Sequence, residues 1–283
     1  MNRFNPLIET KDDDRFIPDP VGEWSFQKWK LMGAYCDIFT SAMKYQWDQL
    51  IYIDLFAGAG FSEIRNNGGI YYSSPLIAMA VPNSFDKYIL CEEDPKKLKA
   101  LKERVNKLYP KKEVAFIKGD CNQNVQNIKS HIPSFSKDNK VLRFCFVDPY
   151  SININFQTIK KLGENLMDFL ILLPLHMDIN RNTDTYFGSN NKTLTNFLGT
   201  NEWRNEFDLQ NLNRKKFIRY ISKKYDSNMM GLGYIEPEHK FPVRSTDKNL
   251  PLYHLAFYSK SPRGNDFYKK VRKSAKSQYS LEL

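Results

Sequence analysis

The stretch YIDLFAGAGFSE, residues 52–63, decides how this chain is read. An apolar run closes on an acid, Asp54. Two glycines then follow one residue apart, Gly58 and Gly60, before the sequence turns polar. Glycine lacks a Cβ and takes positive φ at little cost, so a turn of this kind lets the backbone approach a ligand closely. What ligand that is depends on the elements around it.

Working outward, the segment LIYIDLF (50–56) is a β-branched, apolar strand, and it opens a regular alternation. Pro75 starts a helix, PLIAMAV, with Ser73 or Ser74 as its cap. Strands are expected at KYILCEE (87–93), EVAFIKGD (113–120), VLRFCFVDPY (141–150) and MDFLILLPL (167–175). Helices are expected between them at 94–109, 122–132 and 156–165. Strands alternating with helices imply a parallel sheet with right-handed crossovers, and near-continuous apolar strands imply a sheet covered on both faces. Late in the chain the rhythm changes. GYIEPEHKFPVR (233–244) and YHLAFYSK (253–260) leave no room for a helix between them, which predicts an antiparallel pair. The fold class is α/β: a mostly parallel, doubly wound sheet with a C-terminal antiparallel hairpin. This is the layout of Rossmann-like methyltransferases.

An amphipathic helix is expected before the first strand, within 24–48, where Trp24, Phe26, Trp29, Met32 and Tyr35 recur near helical spacing. Residues 1–23, with DDD at 12–14 and Pro18 and Pro20, read as a loosely ordered polar lead-in. The main domain then covers 24–175 and 227–283. Between its two parts, 176–226 is a helical insertion with helices near 191–207 and 212–226, a candidate substrate-binding element. There are no internal repeats.

Composition narrows the class. Of the 283 residues, 41% are hydrophobic and 14% aromatic, which suffices for a sizeable core. No run of about 18 apolar residues predicts a membrane span, and MNRFNPLIETKDDDRF has no apolar signal region. The four cysteines, Cys36, Cys91, Cys121 and Cys145, lie far apart with no C-x-x-C, and the four histidines show no ligand spacing. They read as reduced thiols of a cytoplasmic protein, with no metal site. The net charge of +10 favours a polyanionic partner, nucleic acid first, although lysine-rich composition alone is a weak pointer.

In a doubly wound sheet, ligands bind beyond the carboxyl ends of the strands, where strand order reverses. A dinucleotide turn wants G-x-G-x-x-G with a small third residue, but Glu63 stands there, and its carboxylate would repel a pyrophosphate. S-adenosylmethionine has no phosphate. Its close backbone approach suits Phe56, Ala57, Gly58 and Gly60, and its cationic end suits Asp54. D-L-F-A-G-A-G resembles the first motif of S-adenosylmethionine-dependent methyltransferases. The second strand ends in Glu92 and Glu93, either of which can accept both ribose hydroxyls, Glu92 being favoured. The third ends in Asp120 and Cys121, the expected adenine site. A helix N-cap is the plainer reading of Asp120 alone.

The fourth strand ends in Asp148-Pro149-Tyr150. This resembles the (D/N/S)-P-P-(Y/F/W) motif of methyltransferases acting on exocyclic amino groups of bases. An aromatic amine is a poor nucleophile until acceptors hold its hydrogens. Asp148 and the carbonyl of Pro149 supply two acceptors, and Tyr150 can stack on a base extruded from its helix. The match is partial, D-P-Y rather than D-P-P-Y. It also resembles the D-P-F/Y-G of guanine-N2 enzymes, with Ser151 in place of the glycine. The bland alternative is an ordinary Asp-Pro turn.

Y-I-D-L-F-A-G-x-G, S-P-L-I-A (74–78), C-E-E-D, G-D-x-N (119–122), F-V-D-P-Y (146–150), D-F-L-I-L-L-P (168–174), N-R-N (180–182) and Y-H-L-A-F-Y-S-K (253–260) together resemble the three-Cys-motif partner (TcmP) family over roughly residues 25–275. That resemblance implies a methyltransferase-like fold and a protein partner carrying three cysteines. It also draws notice to Asp178, Asn180, Arg181 and Asn182, of which Asn180 and Arg181 are candidate substrate contacts. Arg214, Lys215 and Lys216 open one basic stretch, and Lys260, Arg263, Lys269, Lys270, Arg272, Lys273 and Lys276 form another. The leading expectation is an S-adenosylmethionine-dependent methyltransferase acting on a base amino group in RNA or DNA. The alternative is a cofactor-binding partner subunit without independent catalysis.

Overall fold

The computed structural model describes residues 4–12, 14–65 and 68–279, with side chains to 272. Asp13 of the acidic run and the side chains of Lys273 and Lys276 lie outside the described residues. Strands β1 (Glu9–Thr10) and β2 (Asp19–Val21) precede the long helix α1 (Ser25–Met43). Strand β3 (Gln49–Asp54) ends at the glycine turn, followed by β4 (Phe61–Ile64), β5 (Ile70–Tyr72) and helix α2 (Ser74–Ala80). The alternation continues through β6 (Lys87–Glu92), α3 (Pro95–Leu108), β7 (Glu113–Lys118), α4 (Val125–Ser130), β8 (Val141–Val147), α5 (Phe156–Leu162) and β9 (Met167–Leu173). A single π-helical turn (Leu175–Ile179) leads into α6 (Thr183–Phe187), α7 (Thr193–Leu198), α8 (Trp203–Glu206) and α9 (Arg214–Met230). Strands β10 (Phe241–Arg244) and β11 (Pro251–Tyr258) and helix α10 (Pro262–Tyr279) follow.

The main sheet has the order β10-β11-β9-β8-β3-β6-β7. Strand β3 is central and pairs in parallel with both β6 and β8, which is where the strand order reverses. The hairpin is present, but it is not simply appended. Strand β11 inserts between β9 and β10, antiparallel to both, with Leu255 opposite Leu172. Its side chains are buried almost throughout, so it belongs inside the sheet, whereas the short β10 carries Pro242 and suits an edge. Only 241–244 of the expected 233–244 strand forms, the stretch before it holding Pro237. This is the Rossmann-like methyltransferase layout expected from the sequence.

Alternate residues of β3 feed two cores. Leu50 and Tyr52 pack with α1, α2 and α10, while Ile51 and Ile53 pack with α4, α5, α7 and α9. The helices of 176–226 are therefore part of the second covering layer, anchored by Phe197, Phe217, Ile221 and Tyr225. The helix expected over 191–207 is two helices, separated at Gly199.

The lead-in differs most from expectation. Its described residues are ordered into a second, four-stranded sheet, β1-β5-β4-β2, with Asp19 opposite Ser62 and Glu9 opposite Tyr71. Backbone pairing needs no apolar pattern, so a polar sequence forms these strands without announcing them. Arg104 of α3, almost fully buried, fixes the segment: Nη2 donates to Asp14 Oδ1 at 2.9 Å and to the carbonyl of Phe16 at 2.9 Å. Among the described residues no helix is long and apolar enough to cross a membrane. All four cysteines are buried free thiols.

Candidate active site

A cavity of about 660 Å³ opens beyond the carboxyl ends of β3, β6, β7 and β8, within the range of small-molecule and cofactor sites. Phe56, Ala57 and Gly58 line it from the glycine turn, Glu92 and Glu93 from β6, and Asp120 and Cys121 from β7. Asp148, Pro149 and Tyr150 line it from β8. Asp19, Pro20, Val21 and Gly22 of the lead-in, Trp24 and Lys28, Ser73 and Tyr253 also line it.

The glycine turn is held from three sides. Gly58 N donates to Glu92 Oε2 at 2.7 Å, Ala59 N to Asp19 Oδ2 at 2.8 Å, and the carbonyl of Ala59 accepts from Arg104 Nη1 at 2.8 Å. Gly58 and Gly60 have φ of +65° and +86°, and a Cβ on Gly58 would lie 2.6 Å from Asp19 Oδ2. The next element is strand β4, and the helix N-terminus beside this turn is that of the seven-residue α2, where Ser73 N donates to the carbonyl of Gly60 at 2.8 Å and Ser73 and Ser74 line the cavity. Glu63 is exposed on β4 and does not line the cavity, so its carboxylate does not meet a ligand there.

Glu92 accepts from Gly58 N and, at Oε1, from Asp94 N at 2.8 Å. Burial pushes its pKa up against those two bonds. Each oxygen retains a lone pair for a diol. Asp120 Oδ1 accepts from Asn122 N at 2.7 Å, which shapes the turn after β7, while its residue also lines the cavity. It is not the N-cap of α4; Asn124 occupies that position. Burial raises the Cys121 thiol, which makes it a poor nucleophile.

Two expected cofactor residues, Asp54 and Gly60, are not among those that line the cavity. Asp54 is fully buried and does not line the cavity. Residues two apart on a strand share a face, so Asp54 points with Tyr52 toward the helical layer. There Oδ2 accepts from Tyr52 Oη at 2.9 Å and Oδ1 from Phe56 N at 3.2 Å. Burial raises its pKa to about 7, against bonds from Ser74 and Tyr52. Ser74 thus serves Asp54, and Ser73, at the N-cap position of α2, makes no side-chain cap bond. Gly60 is likewise behind the wall, packed against Leu101, Leu76 and Arg104. Besides Glu92, the carboxylate of Asp19 reaches the cavity beside the glycine turn, 16% exposed and paired with Lys97 at 2.8 Å.

At the other end, Lys28 Nζ lies 3.0 and 2.7 Å from the two oxygens of Asp148 and 5.9 Å from the centroid of the Tyr253 ring. Tyr150 is 85% exposed at the mouth. Asp178 is buried and accepts from Ile152 N at 2.7 Å and from Asn182 Nδ2 and Tyr186 Oη at 2.6 Å, tying the loop after Asp148-Pro149-Tyr150 to the π turn. Of the expected substrate contacts, none lines the cavity. Asn180 gives its carbonyl to Arg214 Nη1, and Arg181 is exposed, near enough to Tyr253 to act on its phenol. Arg214 faces Asp184 at 3.5 Å, and Lys215 and Lys216 are exposed on the first turn of α9.

Lys28, Asp19, Trp24, Ser73 and Tyr253 escaped the sequence reading as site residues. One signal was available for Lys28, a lysine among the aromatics at the start of an apolar helix. Asp19 had none beyond its acid.

No family model and no curated protein matches the chain. Solved structures do. Protein LPL1258 from Legionella pneumophila superposes with a TM-score of 0.50 at 11% identity, over 88% of this chain and 90% of its own. An O-methyltransferase from Bacillus cereus in complex with SAH gives 0.41 at 13% identity, over 81% and 80%. Trm1 from Pyrococcus horikoshii with S-adenosyl-L-methionine gives 0.41 at 11%, over 84% and 57%. At these identities the likeness is one of fold.

Proposed function

We propose that this chain is an S-adenosylmethionine-dependent methyltransferase acting on an exocyclic amino group of a base in RNA or DNA. The observation that carries the reading is one cavity that joins Glu92 and Asp120 to the Asp148-Pro149-Tyr150 turn. The residues fit the cofactor. Glu92 suits the ribose diol, Asp120 the adenine amino group, and Gly58 a close backbone approach. Ser73 Oγ is buried without a hydrogen-bond partner in a residue that lines the same cavity, a polar group left for a ligand. When bound, the cofactor supplies an electrophilic methyl group.

The chain's own residues prepare the acceptor. Asp148 and the carbonyl of Pro149 hold the amine hydrogens, which frees the nitrogen lone pair from the ring. Tyr150, exposed at the mouth, stacks on the extruded base. Lys215 and Lys216, with the net charge of +10, supply backbone attraction from outside the cavity.

Calorimetric titration with S-adenosylmethionine and S-adenosylhomocysteine, with Glu92→Ala alongside, tests the cofactor. Micromolar binding lost in the variant supports it, and a folded wild type that binds neither rejects it. Methyl transfer to RNA and DNA pools then tests the substrate.

A further inference from the structure

The pair formed by Lys28 and Asp148 is unusual for a structural salt bridge. It lies in the cavity wall rather than behind it, with 12% and 17% of the two side chains exposed. The ammonium lies 2.7 Å from the carboxylate and 5.9 Å from the centroid of the Tyr253 ring. An ammonium has three N–H donors and a carboxylate about four acceptor sites. The two contacts between them therefore leave a donor and an acceptor side by side in the place where the base is read.

Base edges differ in what they offer such a pair. In adenine the amino group N6 neighbours the acceptor N1, and in cytosine N4 neighbours the acceptor N3. Each is an amidine edge, donor beside acceptor. In guanine N2 neighbours N1–H, so the Watson–Crick side shows two donors, and the second would meet the ammonium head-on. The other neighbour of N2, the acceptor N3, lies next to the glycosidic bond. Using it would bring the sugar against a lysine that is nearly buried. We infer that Lys28 reads the ring nitrogen beside the target amine, so that the methyl acceptor is the amidine edge of adenine or cytosine and not guanine N2. This rests on the function proposed above and narrows it.

The test uses single-stranded oligonucleotides of thymine or uracil carrying one adenine, cytosine or guanine, with label transferred from S-adenosylmethionine. Partner substrates carry 1-deazaadenine or 3-deazacytosine, which keep the amine and lose the ring acceptor. The wild type should methylate adenine or cytosine and spare guanine, and the deaza base should cost about tenfold in kcat/KM, the scale of one hydrogen bond to a charged group. K28M should lose a similar factor on the natural base, show no further loss on the deaza base, and bind S-adenosylhomocysteine as the wild type does. K28R should recover part of the activity.

Methylation of guanine, or a deaza base as good as the natural one, overturns the inference and leaves the methyltransferase reading intact. So does a deaza penalty that persists undiminished in K28M, which would make Lys28 structural only. Cofactor binding without transfer to any of the oligonucleotides removes both. Where K28M does not fold, K28Q carries the same comparison, and a wild type indifferent to the deaza base overturns the inference by itself.

Discussion

Asp19 Oδ2 accepts the amide of Ala59 at 2.8 Å, so a residue 40 positions earlier in the chain seals the glycine turn. The same carboxylate pairs with Lys97. Removing it orphans the amide next to Gly58, which lines the cavity. Asp19→Ala should weaken S-adenosylhomocysteine binding by roughly tenfold, on the scale of one lost charge-assisted bond. Calorimetry that shows unchanged affinity would relieve Asp19 of this role.

Arg104 is a buried guanidinium with three partner residues on two segments, Asp14 and Phe16 of the lead-in and Ala59 of the glycine turn. It also covers the Phe61 ring, 4.2 Å from its centroid. Arg104→Met strands these acceptors and should cost roughly 3–5 kcal/mol in urea unfolding. Adding Asp14→Leu should recover part of that loss, because the stranded carboxylate is gone.

Buried acids set opposite pH slopes. Burial raises Asp54 to about 7 and Asp168, which accepts from Tyr35 Oη at 2.8 Å, to about 6. Between about pH 4 and 7 the folded chain holds protons that the unfolded chain has released, so stability falls as pH rises through that window. Asp14 runs the other way. Burial pushes its pKa up, but the Arg104 hydrogen bond and charge leave it below the ordinary value, and its contribution is lost in acid. Asp54→Asn should flatten the decline between pH 4 and 7, read from thermal melts in a pH series. An unchanged slope would place the protonated group elsewhere.

Asp148 and Tyr150 separate chemistry from capture. Asp148→Ala should lower methyl transfer by about 100-fold or more and spare cofactor binding. Tyr150→Ala should weaken transfer by about tenfold through KM, the worth of one stacked base, and Tyr150→Phe should restore it. Equal losses in the phenylalanine and alanine variants would point to the hydroxyl instead.

The strand ends were legible because each is a local signal. An apolar run closing on glycine, acid or Asp-Pro declares both the strand and its exit, and the alternation fixes which exits share a rim. What stayed hidden are polar contacts across long separations: Asp19 to Ala59, Arg104 to Asp14, Lys28 to Asp148. They follow no periodicity, and each partner alone looks like a solvated charge. Asp54 lies behind the cavity lining for the converse reason. Its position beside the glycines suggested a ligand contact, but the two-residue period of the strand turns it with Tyr52 away from the cavity. The folded lead-in was missed because short strands paired through their backbones carry no apolar stripe.

The tie between Asp14 and Arg104 spans 90 residues, and this has a consequence for biogenesis. At about 5–20 residues per second of synthesis, the segment that walls the cavity waits several seconds outside the ribosome before the arginine that seats it is made. During that interval β3 and the glycine turn emerge with one side of the cavity still missing. Ligand capture is therefore a late event in the life of each new chain, available only after α3 has docked and drawn the early segment down.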